Sequence, residues 1–253
     1  YSSNSAMLQV CEKYAIDHNV SFSVDDDPRK SKTKCLYICG NLSNRSYPAA
    51  LQLNGRALPF VLSCTHLGHE LSQDGTMSTD AKIRRARYID KSIDIRDTFR
   101  FAEPDQVIGA IEKYCDDHYG LMLWNLYDDY AGKYFRCWNT AVKLTWNCPR
   151  NTHTFLVTHL LGVGVASIRT KILSRYVKFF GSLLKSKSPE VVLMAKLVQN
   201  DKSSITGMNL EKICQETGIR NLEASSSQIM VALAPSDPPQ NELWRIPLLK
   251  SYL

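Results

Sequence analysis

The apolar positions fall into two regimes, short alternating runs up to about residue 71 and a 3.6-residue period beyond it. An opening helix precedes both. Leu8, Cys11 and Ala15, with Val10 and Tyr14, recur at helical spacing from Ser5 to Asp17, and Asn4 or Ser5 can cap that helix. Val20–Val24 and Thr33–Cys39 then read as strands. Between them, Asp25-Asp26-Asp27-Pro28-Arg29-Lys30-Ser31-Lys32 must be a loop, because three acids and a proline cannot enter a ladder. Ala50–Leu53 and Arg56–Leu62 flank Asn54-Gly55, the turn pair of a two-residue hairpin, and one more strand is expected around Cys64–Leu71.

From Ser72 the pattern turns helical, with segments expected at about 77–99, 104–127, 132–147, 166–186, 189–200, 209–216 and 222–233. Pro104 suits a first helical turn, and Pro149 and Pro189 mark boundaries. Tyr134, Trp138, Ala141, Val142 and Thr145 share one helical face, as do Ile168, Ile172, Tyr176, Phe179 and Leu183, so both stripes are expected in a core. The Pro-rich run from Ala234 to Pro239 reads as a linker, near 234–240. The expected fold class is α+β: a small antiparallel β part over 1–71, then helical regions over 72–150 and 151–253.

Composition narrows the class without naming an activity. With 253 residues, 44% hydrophobic and 22% charged, the chain is globular in type, which excludes collagen-like and disordered readings. The longest apolar stretch, Leu160 to Ala166, is far short of the about 20 residues a bilayer requires, so no membrane is expected. The eight cysteines include no Cys-x-x-Cys pair and no zinc-knuckle spacing; reduced thiols and an intracellular location, cytoplasm or nucleus, are the expectation. An opening Tyr followed closely by a helix reads as a piece of something longer. The net charge of +6 favours a polyanionic partner, because lysines and arginines release counterions from phosphates.

That charge has a local focus. On the helix expected from about 77, Arg84, Arg87 and Lys91 stand at i, i+3 and i+7, while Ile83, Ala86 and Ile93 can turn to a core. One cationic face and one buried face suit a helix lying along a phosphate backbone; the bland alternative is a solvated face of Asp–Arg pairs. Lys171, Arg175 and Lys178 form a second row with the same two readings. Asp25–Asp27 are contiguous loop acids, which usually point apart, and no metal site is expected there. His66 and His69 lack a visible third ligand, Gly162-x-Gly164 is no phosphate cradle, and Tyr14-Ala15-Ile16-Asp17 has a single acid on a helix.

Several segments in order resemble the reverse transcriptase of non-LTR (LINE-type) retrotransposons, from just after its catalytic turn onward. Ser2-Ser3-Asn4 with Leu8 to Tyr14 looks like the helix after the catalytic aspartates. Val20-Ser21-Phe22-Ser23, closing on Lys30-Ser31-Lys32, is similar to motif D, and Thr65-His66-Leu67-Gly68-His69 to the primer grip. Tyr114-Cys115, Tyr119-Gly120 and Leu123-Trp124 resemble the thumb. Trp138-Asn139, Trp146, Pro149-Arg150, Thr152-His153-Thr154, Asp201 to Ser204, Thr206-Gly207 and Asn209-Leu210 continue the likeness, which covers about residues 2–216.

The resemblance implies the end of a polymerase palm over 1–71, a thumb over 72–150 and a C-terminal region over 151–253. The partners it implies are an RNA template and a DNA primer. The family's metal-binding aspartates would lie upstream of Tyr1, so Mg²⁺ is expected in the intact polymerase and no cofactor, metal or catalytic residue in this chain. Lys30, beside Lys32, would approach the incoming triphosphate and favour pyrophosphate departure. His66, Leu67 and Gly68 would hold the primer end, and Arg84, Arg87 and Lys91 would contact duplex phosphates without reading sequence. Ser23, the acidic Asp25–Asp27 and Thr65 depart from the family pattern, which usually has an asparagine, a short spacer and an aromatic there. The rival expectation is a helical protein-interaction module, unrelated or descended from such an element.

Overall fold

The computed structural model describes residues 2–25, 27–38, 49–115, 118–152 and 168–218, which divide into two compact units, Tyr1–Asp80 and Ala81–Leu253. The fold is α+β and mostly helical.

The first unit opens with helix α1, Ser2–Asp17, begun three residues earlier than expected. Ala15 is buried and Leu8 and Cys11 half-buried, but Val10 and Tyr14 are exposed. The reason is the narrowness of what covers the helix: a small cluster of Val24, Leu53 and Leu58, flanked by Leu8, Phe22, Cys35 and Leu51. Residues 20–24 form no strand. The Ser23 carbonyl accepts a hydrogen bond from the Thr33 N–H at 3.0 Å. The expected strand at Thr33–Cys39 contracts to β1, Cys35–Leu36.

Asn54-Gly55 makes the expected turn, with φ of 53° and 70°, between β2 (Gln52–Leu53) and β3 (Arg56–Ala57). Strand β4, Phe60–Val61, then leaves that hairpin and pairs in parallel with β1, where an antiparallel part was expected. The single strand expected at Cys64–Leu71 is a hairpin, β5 (Ser63–His66) and β6 (His69–Ser72). Its turn residues Leu67 and Gly68 have φ of 48° and 80°. A leucine in the left-handed region is sterically disfavoured, so a strand pattern reads straight through this turn. Among the described residues the β structure is three separate two-stranded sheets, which give no link to a polymerase palm.

Helix α2, Ser78–Thr98, has its first turn at the end of the first unit and the rest in the second, which also holds α3, Pro104–Tyr114. The helix expected to run to 127 stops there: Gly120 is left-handed at φ 73°, and a short 3₁₀ turn, Leu121–Leu123, follows. The next expected helix is also divided, into α4 (Asp129–Phe135) and α5 (Cys137–Thr145), broken where Arg136 has ψ of −6°. Its forecast face is buried throughout: Tyr134, Trp138, Ala141, Val142 and Thr145 are all 9% exposed or less. Helix α6, Ile168–Leu184, buries Ile168, Ile172 and Tyr176 but continues the stripe with Phe180; Phe179 is 47% exposed. Helices α7 (Pro189–Asn200) and α8 (Ile205–Thr217) complete the described part. The segments expected at 222–233 and 234–240 lie outside the described residues, as does Gly162-x-Gly164.

Trp124 is the centre of this unit, fully buried with its ring edge-on to Tyr134 at 5.3 Å. Asn209 of α8 fixes the chain on either side of the tryptophan's neighbour. Its Nδ2 donates to the Trp124 carbonyl at 2.8 Å, and its Oδ1 accepts the Leu126 N–H at 3.0 Å. A buried amide with both ends engaged holds an irregular segment that no ladder satisfies. No described helix is long and apolar enough to cross a membrane.

Candidate nucleic-acid interface

The loop after Phe22 is built on its aspartates. Asp25 Oδ1 accepts the Asp27 N–H and Asp27 Oδ1 the Arg29 N–H, each at 2.9 Å. These carboxylates cap their own turn, the ordinary use of aspartate in loops. Ser31 is buried, its Oγ donating to the Thr33 carbonyl at 2.6 Å, so Lys30 and Lys32 project outward on either side of it.

The β5–β6 turn brings His66, Leu67 and Gly68 to one exposed tip, with Leu67 73% exposed. His69 leaves that tip for the interior. Its Nδ1 lies 3.1 Å from Asp80 Oδ2, both side chains buried, and the other Asp80 oxygen accepts the Glu70 N–H at 3.1 Å. Asp80 thereby ties the hairpin to the first turn of α2, where a carboxylate is also favoured by the helix dipole. His66 and His69 are a cross-strand pair with separate surroundings. Among the described residues no three His, Cys, Asp or Glu side chains group as a metal set.

Helix α2 buries Ala81, Arg84, Tyr88, Ser92 and Ile95, a stripe stepping by three and four residues. This corrects the expected core face: Ala86 is exposed, while Ile83 and Ile93 are half-buried. Arg84 is 9% exposed because it lies one turn from Tyr88 on the same stripe; Arg87 and Lys91 are exposed beside it. All three cations line one recess of about 220 Å³, walled by Tyr88, Tyr134 and Cys115. The tyrosines and the thiol were not foreseen; the i, i+4 spacing of Arg84 and Tyr88 was the available signal.

The walls carry no charge of their own at neutral pH. Burial, ahead of its neighbours' charges, pushes the Tyr88 phenol far above its ordinary range, and burial raises the Cys115 thiol. Glu112 lines an adjoining cavity with Tyr88 and Cys115, but it pairs with Lys171 at 2.9 Å. That pairing removes Lys171 from the second basic row. Among the described residues, no hydrogen bond or ion pair engages the side chains of Arg87 and Lys91.

Tyr114-Cys115-Asp116-Asp117 spells the string of a polymerase catalytic turn. Tyr114 ends α3 and Cys115 caps it, a helical setting in place of the strand turn that two-metal chemistry uses; Asp116 and Asp117 lie outside the described residues. No protein-family model, curated protein or solved structure matches the chain, so the reading of function rests on its own residues.

Proposed function

We propose that this chain is the template–primer-gripping part of an RNA-directed DNA polymerase of the non-LTR retrotransposon kind. It holds nucleic acid by the backbone and leaves the metal-assisted chemistry to aspartates outside it. The observation that carries the reading is the convergence of Arg84, Arg87 and Lys91 on one side of α2, around a recess with uncharged walls. A field of one sign facing solvent attracts polyanions and is stronger where low-dielectric walls focus it. The ordered motifs from α1 to Asn209 supply the polymerase part of the proposal, including Lys30 beside the triphosphate and His66, Leu67 and Gly68 at the primer end.

The test is binding of an RNA/DNA hybrid across a salt series. Neutralising two or three phosphates gives a log–log slope of about −2 to −3, and replacing Arg84, Arg87 and Lys91 by alanine flattens it. Affinity indifferent to salt, or unaltered by the triple replacement, overturns the proposal.

A second reading, a helical protein-interaction module, has one observation in its favour. Helix α7 exposes Val191, Leu193, Met194 and Leu197, at 36%, 59%, 59% and 55%, a larger apolar stripe than a solvated helix needs. Purification with a stoichiometric protein partner and no bound nucleic acid, judged by the ultraviolet absorbance ratio, selects it.

A further inference from the structure

We infer that the recess bounded by Arg84, Arg87 and Lys91 is a built site for one phosphate monoester, the terminal phosphate of a strand or of a free mononucleotide. The inference rests on the nucleic-acid reading of α2 and adds to it the form of phosphate that the site selects.

Size is the first argument. The recess of about 220 Å³ is below the roughly 300–1,000 Å³ of pockets for drug-sized ligands. A phosphate with its sugar fits such a space. A strand passing through, which must enter and leave beside each phosphate, is accommodated far less well.

Charge is the second. Three cations face one small volume, and among the described residues lining it none is acidic. An internal phosphodiester brings a single negative charge, whereas a terminal monoester brings about 1.5 to 2 at neutral pH and three strong acceptor oxygens. The dianion therefore matches the site better.

Burial is the third. Arg84 is more than nine-tenths buried on the floor side of α2, between Ala81 and Tyr88, while Arg87 and Lys91 stand exposed at the rim. A guanidinium held in place by packing is preorganised, so less freedom is lost when it binds an oxyanion than for a mobile surface lysine. Tyr88 and Tyr134, whose rings meet edge to face at 6.3 Å, wall one side of the recess. Weaker screening strengthens each charge-assisted contact there.

The experiment uses the full chain and three probes: a short single strand with a 5′-phosphate, the same strand with a 5′-hydroxyl, and a nucleoside 5′-monophosphate as competitor. The expected result is a preference of at least about tenfold for the phosphorylated end, in line with one or two added charge-assisted hydrogen bonds. Arg84→Met brings the ratio between the two ends to about one. Because a buried arginine can matter for folding, Lys91→Met at the rim is run beside it, with circular dichroism on both; it lowers the same ratio. End preference assigns the site to strand termini. Competition by the monophosphate without end preference assigns it to free mononucleotides and equally supports a monoester site.

Equal affinity for the two ends, together with no competition, overturns the inference even while salt-dependent hybrid binding upholds the proposed function. Monophosphate binding with no affinity for any hybrid does the reverse.

Discussion

Replacing Asn209 by leucine tests whether the amide is what holds the segment around Trp124. The substitution keeps approximate shape and removes two hydrogen bonds to the backbone, from Nδ2 to the Trp124 carbonyl at 2.8 Å and from the Leu126 N–H to Oδ1 at 3.0 Å, along with a longer one from Nδ2 to the Tyr176 hydroxyl at 3.5 Å. Asn209 and Trp124 are fully buried and Leu126 is 3% exposed, so water cannot replace either bond. Each stranded backbone group costs about 1–3 kcal/mol, or about 2–6 for the pair. Burying a leucine returns about 1.5–3 kcal/mol, which leaves a net loss on the order of 2 kcal/mol. Asn209→Asp is the companion variant. It retains an acceptor for Leu126 but places an ionised carboxylate against a carbonyl, and it is expected to lose more stability than leucine at pH about 7. Urea unfolding followed by tryptophan fluorescence measures both, with an unchanged m-value confirming that the same surface is exposed. A loss under about 1 kcal/mol for leucine, or an aspartate variant as stable as the leucine variant, refutes the reasoning.

Two further outcomes follow from backbone and thiol environments. Leu67→Asn is expected to raise stability by up to about 1 kcal/mol in the same unfolding assay, because asparagine tolerates the left-handed region better than leucine. Leu67 sits at φ 48° and is 73% exposed, so little burial is lost; a clear loss of stability would show that its side chain packs on something. Burial pushes the Cys137 thiol from 9.0 up to about 11, against the opposing influence of Arg85. The fold thus prefers the neutral thiol: its contribution is full below pH 9.0 and is lost as pH rises through about 11. The difference in stability between the native chain and Cys137→Ala should therefore shrink over that window, and a constant difference from pH about 8 to 11 contradicts the buried-thiol account.

The elements legible in advance were those whose code is local. Helix α7 begins at Pro189 and ends at Asn200 as the spacing foretold, and α2 lies within a residue of its expected ends. Asn54-Gly55 makes its turn because both residues tolerate positive φ. The Leu67-Gly68 turn escaped the pattern of apolar positions because leucine is a poor turn residue. The long helix expected at 104–127 ended at Tyr114, and Gly120 beyond it takes a left-handed conformation that a helical period does not register.

For the candidate site, sequence determined the charges and their spacing on α2, since i, i+3 and i+7 residues share a side of any helix. It also determined that the aspartates near Lys30 would form a loop. What only tertiary structure decided was which way that side faces. Packing turned Arg84 inward beside Tyr88, left Arg87 and Lys91 at the rim, and brought Cys115 and Tyr134, from beyond 20 residues away, to close the recess. It likewise engaged Lys171 with Glu112 and made Asn209 a clamp on Trp124. Helical periodicity specifies a stripe only relative to its own axis. The rotation of the helix about that axis is set by the competition among all neighbouring surfaces for burial, which no single segment encodes.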